Sequence, residues 1–502
     1  MFKALDKNPS TARRIRNALE LACVIGVQGI LLFFFYDRFW YPPDEGNYAH
    51  VAERFLNGEI LNLQVQDIHA GYINFVNAAA LRLFGLDLVS LRYPLVLISL
   101  GHAVLIFILF RKQGRHKLGW IASFAMTTLG VIQFLNPTSN WYSLFLAVCV
   151  ICSLEWIPPG GRTRLLVVGL LLGILTLFRQ LSGVLLSIGV LAYLLIEMRS
   201  QHTQPRALLL ARTAIVVMGL GLGWYLFRTT DSTGFILFGF CPLALLIWLF
   251  IKTRAENREV ARSLLWLMLG GTVAALPLVL YHLFHNSLSP WLSDSLISSF
   301  NLTKLQFMDQ QLYRKLVAGG FFQLFRARSI EDFLNGFYWL LLPFLAFLNG
   351  IAVLRALSRD SDLRRTKYAL PILAIFYALV SVHFQIPIYL YYTASLSVAS
   401  LLWMIPSRSK LMYAAVPATL LLSGIAIYYH AAQPISGLTA FDENRTVLSL
   451  SNEDTTLPRS HLRIESEDHQ RYLDLLRVIE TETKPDETIF AFPSNAELYF
   501  LS

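Results

Sequence analysis

The chain alternates between long apolar runs and short polar ones. About thirteen runs approach the roughly 20 residues that a membrane-spanning helix needs. They cover 19–39, 89–110, 118–135, 141–157, 165–180, 182–198, 207–227, 234–251, 263–284, 333–354, 368–386, 389–405 and 411–430. The pairs 165–180/182–198 and 368–386/389–405 are each too long for a single pass, so each is read as two helices. The first run follows a basic segment and ends in Tyr36, Asp37, Arg38, Phe39 and Trp40, a poor site for cleavage. It reads as an uncleaved anchor.

Three polar regions interrupt this pattern. The first, 40–88, contains amphipathic stretches near 46–60 and 72–84. Tyr48, Val51, Ala52 and Phe55 recur there at helical spacing, with Glu53, Asn57 and Glu59 opposite. Such helices suit the membrane interface. The second region, 285–332, is also amphipathic. The third, 431–502, alone has the character of a soluble domain, with a helix predicted over 466–482 and short strands from Thr488 and from Leu498. The predicted fold is therefore mainly α and polytopic: a transmembrane domain over 1–430, then a small extracytoplasmic α/β domain over 431–502.

Composition agrees with a membrane protein. Of 502 residues, 55% are hydrophobic and 15% charged, with mean hydropathy +0.51. A soluble domain carries about a quarter charged residues, so a disordered chain and an ordinary soluble enzyme are both excluded. The net charge of +9 is a topology signal rather than a nucleic-acid footprint, because the cations sit between apolar runs. More than half of the 42 Lys and Arg fall in alternate linkers, such as Arg111 to Lys117 and Lys252 to Arg262, while the turns 136–140 and 386–388 hold none. The positive-inside rule then puts the N-terminus in the cytoplasm, and an odd number of spans puts the C-terminus outside. The expected location is the inner (plasma) membrane, as a multi-pass monomer. Cys149 and Cys152 form a C-x-x-C inside an apolar run without a second ligand pair, so they read as small buried hydrophobes.

The most informative stretch runs from Tyr41 to Gly58, directly after the first span. Pro42 and Pro43 fix an extended entrance, and local physics allows Asp44 to cap the following helix and Glu45 to complement its dipole. The spacing of Asp44, Glu45, Tyr48, Ala49, Ala52, Phe55 and Gly58 also resembles the acidic first-loop motif of polytopic glycosyltransferases of the GT-C class. Within that class it is similar to the branch containing lipid A aminoarabinose transferase, protein O-mannosyltransferases and rhizobial lipopolysaccharide-core transferases. The run Leu81 to Gly85, the glycine-spaced run Gly169 to Gly183 and the terminal run from Tyr472 to Leu501 resemble further elements of the family.

The resemblance implies a sugar transfer from a polyprenyl-phosphate carrier to an extracytoplasmic glycolipid, lipopolysaccharide or protein. It places the catalytic carboxylate at Asp44, with Glu45 beside it. It places donor-phosphate contacts at Arg179 and its neighbour Gln180, with His69 and Arg82 as further candidates. Tyr48 and Asn140 are candidate sugar or acceptor contacts. His69 departs from the lysine that many relatives carry, and Asn140 lies where several have an acid. Arg179 and Arg82 also read as cations facing lipid headgroups, and His69 as an ordinary loop histidine. His282 and His285, spaced i, i+3, leave room for a divalent metal or are simply interfacial; no cofactor is otherwise implied. A transporter or flippase, or an O-antigen ligase or polymerase, are the alternative classes.

Overall fold

Backbone polar groups have no water to bond in a bilayer, so the chain crosses as helices and turns only at the two faces. The computed structural model describes residues 9–199, 208–302, 311–359, 368–406, 409–431, 456–464, 466–484, 487, 489–491 and 496–502. The anchor is α1 (Pro9–Phe35). The first polar region folds into α2 (Pro42–Leu56) and α3 (Tyr72–Phe84), where the amphipathic stretches are predicted. There follow α4 (Arg92–Lys112), α5 (His116–Thr128), α6 (Ser139–Trp156), α7 (Arg162–Phe178), α8 (Gln180–Arg199), α9 (Leu209–Thr229), α10 (Phe240–Lys252) and α11 (Asn257–Phe284). The second polar region holds α12 (Leu288–Leu292), prolonged by a π-turn over Ser293–Ser298, and α13 (Leu312–Arg326). The last apolar helices are α14 (Ile330–Arg359), α15 (Ala369–Tyr377), α16 (Pro387–Met404) and α17 (Leu411–Ile425). Two short helices, α18 (Ser466–Glu482) and α19 (Ala496–Leu501), close the chain.

Among the described residues, eight helices are long and apolar enough to cross a membrane. The other five predicted spans, 118–135, 141–157, 165–180, 368–386 and 389–405, are helical but shorter or more polar. Length and composition therefore support eight of the thirteen. Both long double runs do break in two. Arg179 leaves the helix with φ −152° and ψ 106° between α7 and α8. The chain can fold back there because Gly183 lies against Thr176, where a Cβ would come within 2.1 Å of Oγ1. Between α15 and α16 the break is set by Pro387, which starts α16 and holds Ile386 extended.

The helix ends sort by charge. At one end the basic linkers meet: Arg111 donates to the Asn17 carbonyl (3.2 Å), His116 pairs with Glu20 (3.0 Å) and Arg164 with Glu197 (2.7 Å). The first polar region lies at the opposite end of α1. There Arg92 donates through Nη1 to the carbonyls of Tyr36 (2.9 Å) and Arg38 (3.0 Å) and through Nη2 to that of Phe39. Its Nε binds Glu45 Oε1 at 2.8 Å.

The C-terminal segment is clasped to that same end. Arg463 pairs with Asp37 (3.0 Å) and Arg459 with Glu53 (2.6 Å), and Trp40 packs its ring on Tyr472 at 4.7 Å. The predicted helix over 466–482 is present. The predicted α/β character is not: among the described residues there is no strand, and the run from Leu498 is the helix α19. Leu498, Phe500 and Leu501 are buried there along with Glu497. A four-residue apolar run does not distinguish strand from helix by periodicity; the flat face offered by α2 decides it. Residues 432–455, and Thr488 at the head of the other predicted strand, lie outside the described residues.

The two helices approach closely at Gly46, where a Cβ would stand 2.3 Å from the Glu497 backbone. Gly46→Val is therefore expected to push α19 off α2 while leaving the apolar helices in place. Limited proteolysis of the detergent-solubilised protein should then cut the region after 456 several-fold faster than in the native chain; equal rates would show that the contact is not needed.

Candidate active site

Five helix ends of the first-loop side converge: the start of α2, the loop before α3, the α5–α6 turn, the α7–α8 break and the start of α16. Each is a place where an apolar run stops, so each delivers polar side chains to one face.

The start of α2 decides what Asp44 does. The first two helical residues are Pro42 and Pro43, which have no N–H to satisfy. The next N–H but one, that of Glu45, already reaches the Tyr41 carbonyl at 3.1 Å. The Tyr41 N–H is taken by Glu45 Oε2 at 3.2 Å. No side chain caps this helix at Tyr41, so the capping role open to Asp44 goes unused. Its carboxylate instead accepts a hydrogen bond from Asn136 Nδ2 (3.2 Å), across from the α5–α6 turn. Asp44 remains partly exposed. Burial pushes its pKa up to about 6, against the opposing pull of His69 and of the Asn136 hydrogen bond.

Glu45 is corrected as a catalytic candidate. It is 1% exposed and paired with the equally buried Arg92. Burial raises its pKa and the Arg92 charge opposes the rise, but every contact it makes serves to fix the beginning of α2. Arg92 is likewise committed to Glu45 and three backbone carbonyls.

Around Asp44 stand Tyr48, one turn further along α2, and His69. Tyr48 is buried with its ring 5.7 Å from the His69 ring, and its hydroxyl feels Asp44, Asp67, Arg179 and Tyr389. His69 Nδ1 lies 2.8 Å from Asp67 Oδ1. Arg179 comes from the α7–α8 break and donates to the Tyr389 hydroxyl at 3.1 Å, with its guanidinium 5.2 Å from the centre of that ring. The acid, the arginine and the histidine thus meet although they are far apart in the chain.

The remaining candidates separate. Gln180 donates to the Ile68 carbonyl (3.0 Å) and the Ser295 carbonyl (3.0 Å). It ties the His69 loop to the second polar region. Arg82 is exposed near the end of α3, outside this cluster. Asn140 is buried in the first turn of α6, its side-chain oxygen without a hydrogen-bond partner and its carbonyl accepting from Tyr377 (3.4 Å). His282 is buried, stacked on Trp291 and bonded through Nδ1 to Ser287 (2.8 Å), whereas His285 is exposed against Tyr281. Among the described residues no three His, Cys, Asp or Glu gather as metal ligands. Asp294 is held by Asn62 at 3.0 Å. Cys149 and Cys152 are free, the latter buried.

Sequence reasoning passed over Asn136 as a ligand of Asp44, and Tyr389 and Asp67 altogether. Asn136 had one visible signal, its place in a cation-free turn; Tyr389 had none, since aromatic residues at helix starts are common in membrane proteins.

No known family profile matches the chain, and no curated protein matches it. Two solved structures are similar. One is an oligosaccharyltransferase from Archaeoglobus fulgidus in complex with zinc and sulfate: TM-score 0.43, 14% identity, covering 95% of this chain and 58% of that one. This chain therefore spans less than two thirds of that protein's length. The other is ArnT from Cupriavidus metallidurans bound to undecaprenyl phosphate: TM-score 0.32, 14% identity, covering 76% of this chain and 77% of that one.

The Asn136 hydrogen bond favours the charged form of Asp44, so its loss should raise the carboxylate's pKa further. Any activity that needs ionised Asp44 should show an acid limb near pH 6 in native protein, and Asn136→Leu should move that limb to higher pH. A limb unmoved in the kcat/KM profile would show that another group titrates there.

Proposed function

We propose that this chain is a GT-C-class membrane glycosyltransferase. In this reading it moves one sugar from a polyprenyl-phosphate carrier to a hydroxyl of an extracytoplasmic acceptor, with Asp44 as the base. The observation that carries the reading is that the carboxylate of Asp44 and the cation Arg179 both face His69 and Tyr48 where the apolar helices end.

The chemistry needs little more. The acceptor oxygen attacks the anomeric carbon from the face opposite the phosphate, and its proton passes to Asp44. The bond from the anomeric carbon to the phosphate oxygen breaks with its electron pair staying on oxygen, so the configuration inverts. Glycosidases add a second acid because an alkoxide leaves poorly. A phosphate leaves as a stabilised anion, and a single base suffices. A carboxylate with a pKa near 6 is a stronger base than an ordinary aspartate and is still ionised at neutral pH. Arg179 suits the phosphate, since its fork of donors matches two oxygens and its charge stabilises the charge that grows on the leaving group.

A lipid-borne donor also needs an apolar channel beside its phosphate. A groove of about 420 Å³ runs between α7, α8, α9 and α11, lined by residues including Leu172, Thr176, Val184, Met218 and Leu267. Thr176 of α7, which lines the groove, lies about one turn before Arg179. Gly169 and Gly173 on α7 let that helix pack closely on α11 at the groove's wall, where a Cβ would come within 2.2 Å of the Leu267 backbone and 2.7 Å of Ala274 Cβ, respectively. The placement of the first loop and the C-terminal segment at the end opposite the basic linkers agrees with chemistry on the outer face. The acceptor would approach from the side of α2 and α12, with Tyr48 and Asn140 as sugar contacts.

Asp44→Asn keeps the shape of the side chain and removes the base. With the protein reconstituted in lipid and supplied with a polyprenyl-phosphate sugar, transfer should fall about 10²- to 10⁴-fold; near-native turnover would overturn the assignment. Arg179→Ala should weaken binding of the same donor about tenfold or more, the worth of a charged hydrogen bond, as read by lipid retention in native mass spectrometry. Unchanged retention would return Arg179 to a lipid-facing role.

A further inference from the structure

Asp67, on the loop between α2 and α3, is a second acid beside Asp44, and its environment is the reverse. Its side chain is 4% exposed. Oδ1 accepts from the His69 backbone N–H (3.1 Å) and meets His69 Nδ1 (2.8 Å), and Oδ2 accepts from Asn74 Nδ2 (2.6 Å). The Asp67 carbonyl is held by Asn62 Nδ2 at 2.7 Å, and the same nitrogen reaches Asp294 (3.0 Å). A carboxylate engaged this fully is poorly placed to take a proton from an acceptor. What it does is hold an imidazole.

With Nδ1 spent on Asp67, the other ring nitrogen of His69 has no protein hydrogen bond among the described residues, and the ring lies against Tyr48. The charged and titratable groups that face it are Asp67 from its own loop, Asp44 and Tyr48 from α2, and Arg179 from the α7–α8 break. Burial disfavours a charged imidazole there, and so does Arg179. The two carboxylates and the Asp67 hydrogen bond outweigh them, and the pKa of His69 rises. Asp67 moves the opposite way: burial is outweighed by His69 and Asn74, and its pKa falls.

We propose that Asp67 is a positioning residue that holds His69 as an imidazolium, whose free Nε2–H binds the donor phosphate together with Arg179. This rests on the transferase reading above. The donor phosphodiester carries one negative charge and the departing monophosphate up to two, so a second cation binds most strongly as the sugar leaves. A histidine differs from a fixed cation in one respect. Its grip is complete below its raised pKa and is lost as the pH climbs through that value. The transfer reaction then has an acid limb from Asp44 and an alkaline limb from His69.

The test uses the full chain in nanodiscs and a polyprenyl monophosphate as probe, with binding measured against pH for native protein, His69→Gln, His69→Lys and Asp67→Asn. The lipid's own titration is common to all four. Native protein should bind about tenfold or more tighter than His69→Gln below the alkaline limb, and the two should converge above it. His69→Lys should keep the native affinity and extend it to higher pH. Asp67→Asn should move the alkaline limb to lower pH, and adding His69→Lys to it should restore binding. His69→Gln and His69→Lys leave Asp67 and Asn74 in place, so the proposal stays testable if Asp67→Asn fails to fold. Identical profiles for native protein and His69→Gln would overturn the dyad. If Asp44→Asn still abolished transfer in that case, the transferase reading would survive it. Failure of native protein to bind the probe at any pH would overturn both.

Discussion

The buried pair of Glu45 and Arg92 is the interaction on which the first-loop end of the molecule depends. Arg92 opens α4, and its guanidinium joins Glu45 to the backbone carbonyls of Tyr36, Arg38 and Phe39. One side chain therefore ties the end of α1, the beginning of α2 and the beginning of α4. Both charges are almost fully removed from water, so each is tolerable only while the other stays in place. Glu45 also takes the Tyr41 N–H. With two prolines opening the helix, the Asp44 side chain is not drawn into capping it and instead meets Asn136. Two neighbouring carboxylates in one motif thus have separate tasks, one holding the fold and one facing the cluster.

The bilayer supplies the second constraint. Helices that can turn only at two faces collect their polar end residues there, and the site is assembled from such ends rather than from any one loop. Arg179 is available because α7 breaks at it; Tyr389 receives it because Pro387 starts α16 two residues earlier. Asn136 reaches Asp44 from a turn between two other helices. Gln180 then pins the loop carrying His69 to the second polar region. The C-terminal segment joins the same end of the molecule through Asp37 after α1 and through Glu53 and Gly46 of α2.

Electrostatics divides three acids of the first loop, Asp44, Glu45 and Asp67. Asp44 is lifted by burial, against the weaker opposing pulls of His69 and of the Asn136 hydrogen bond, which suits a base. Glu45 is neutralised by a full guanidinium. Asp67 is drawn down by His69 and Asn74, which suits an anchor for a cation. None of these differences follows from residue type.

The sequence by itself determined where helices run, since an apolar run near the length of a bilayer has few other ways to satisfy its backbone. The amphipathic helices at α2 and α3, the double breaks near Arg179 and Pro387, and the helix at 466–482 were all legible for that reason. Asp44 and Arg179 stood out through the likeness to a family motif and, for Arg179, through the scarcity of cations beside the short turns. The tertiary structure alone decided which acid is engaged, because Glu45 is held by Arg92, 47 residues away. It alone turned the run at Leu498 into a helix, by offering it a face of α2. It alone brought His69, Asp67, Tyr389 and Asn136 to the same place, since contacts between the ends of distant helices leave no periodic trace in the chain.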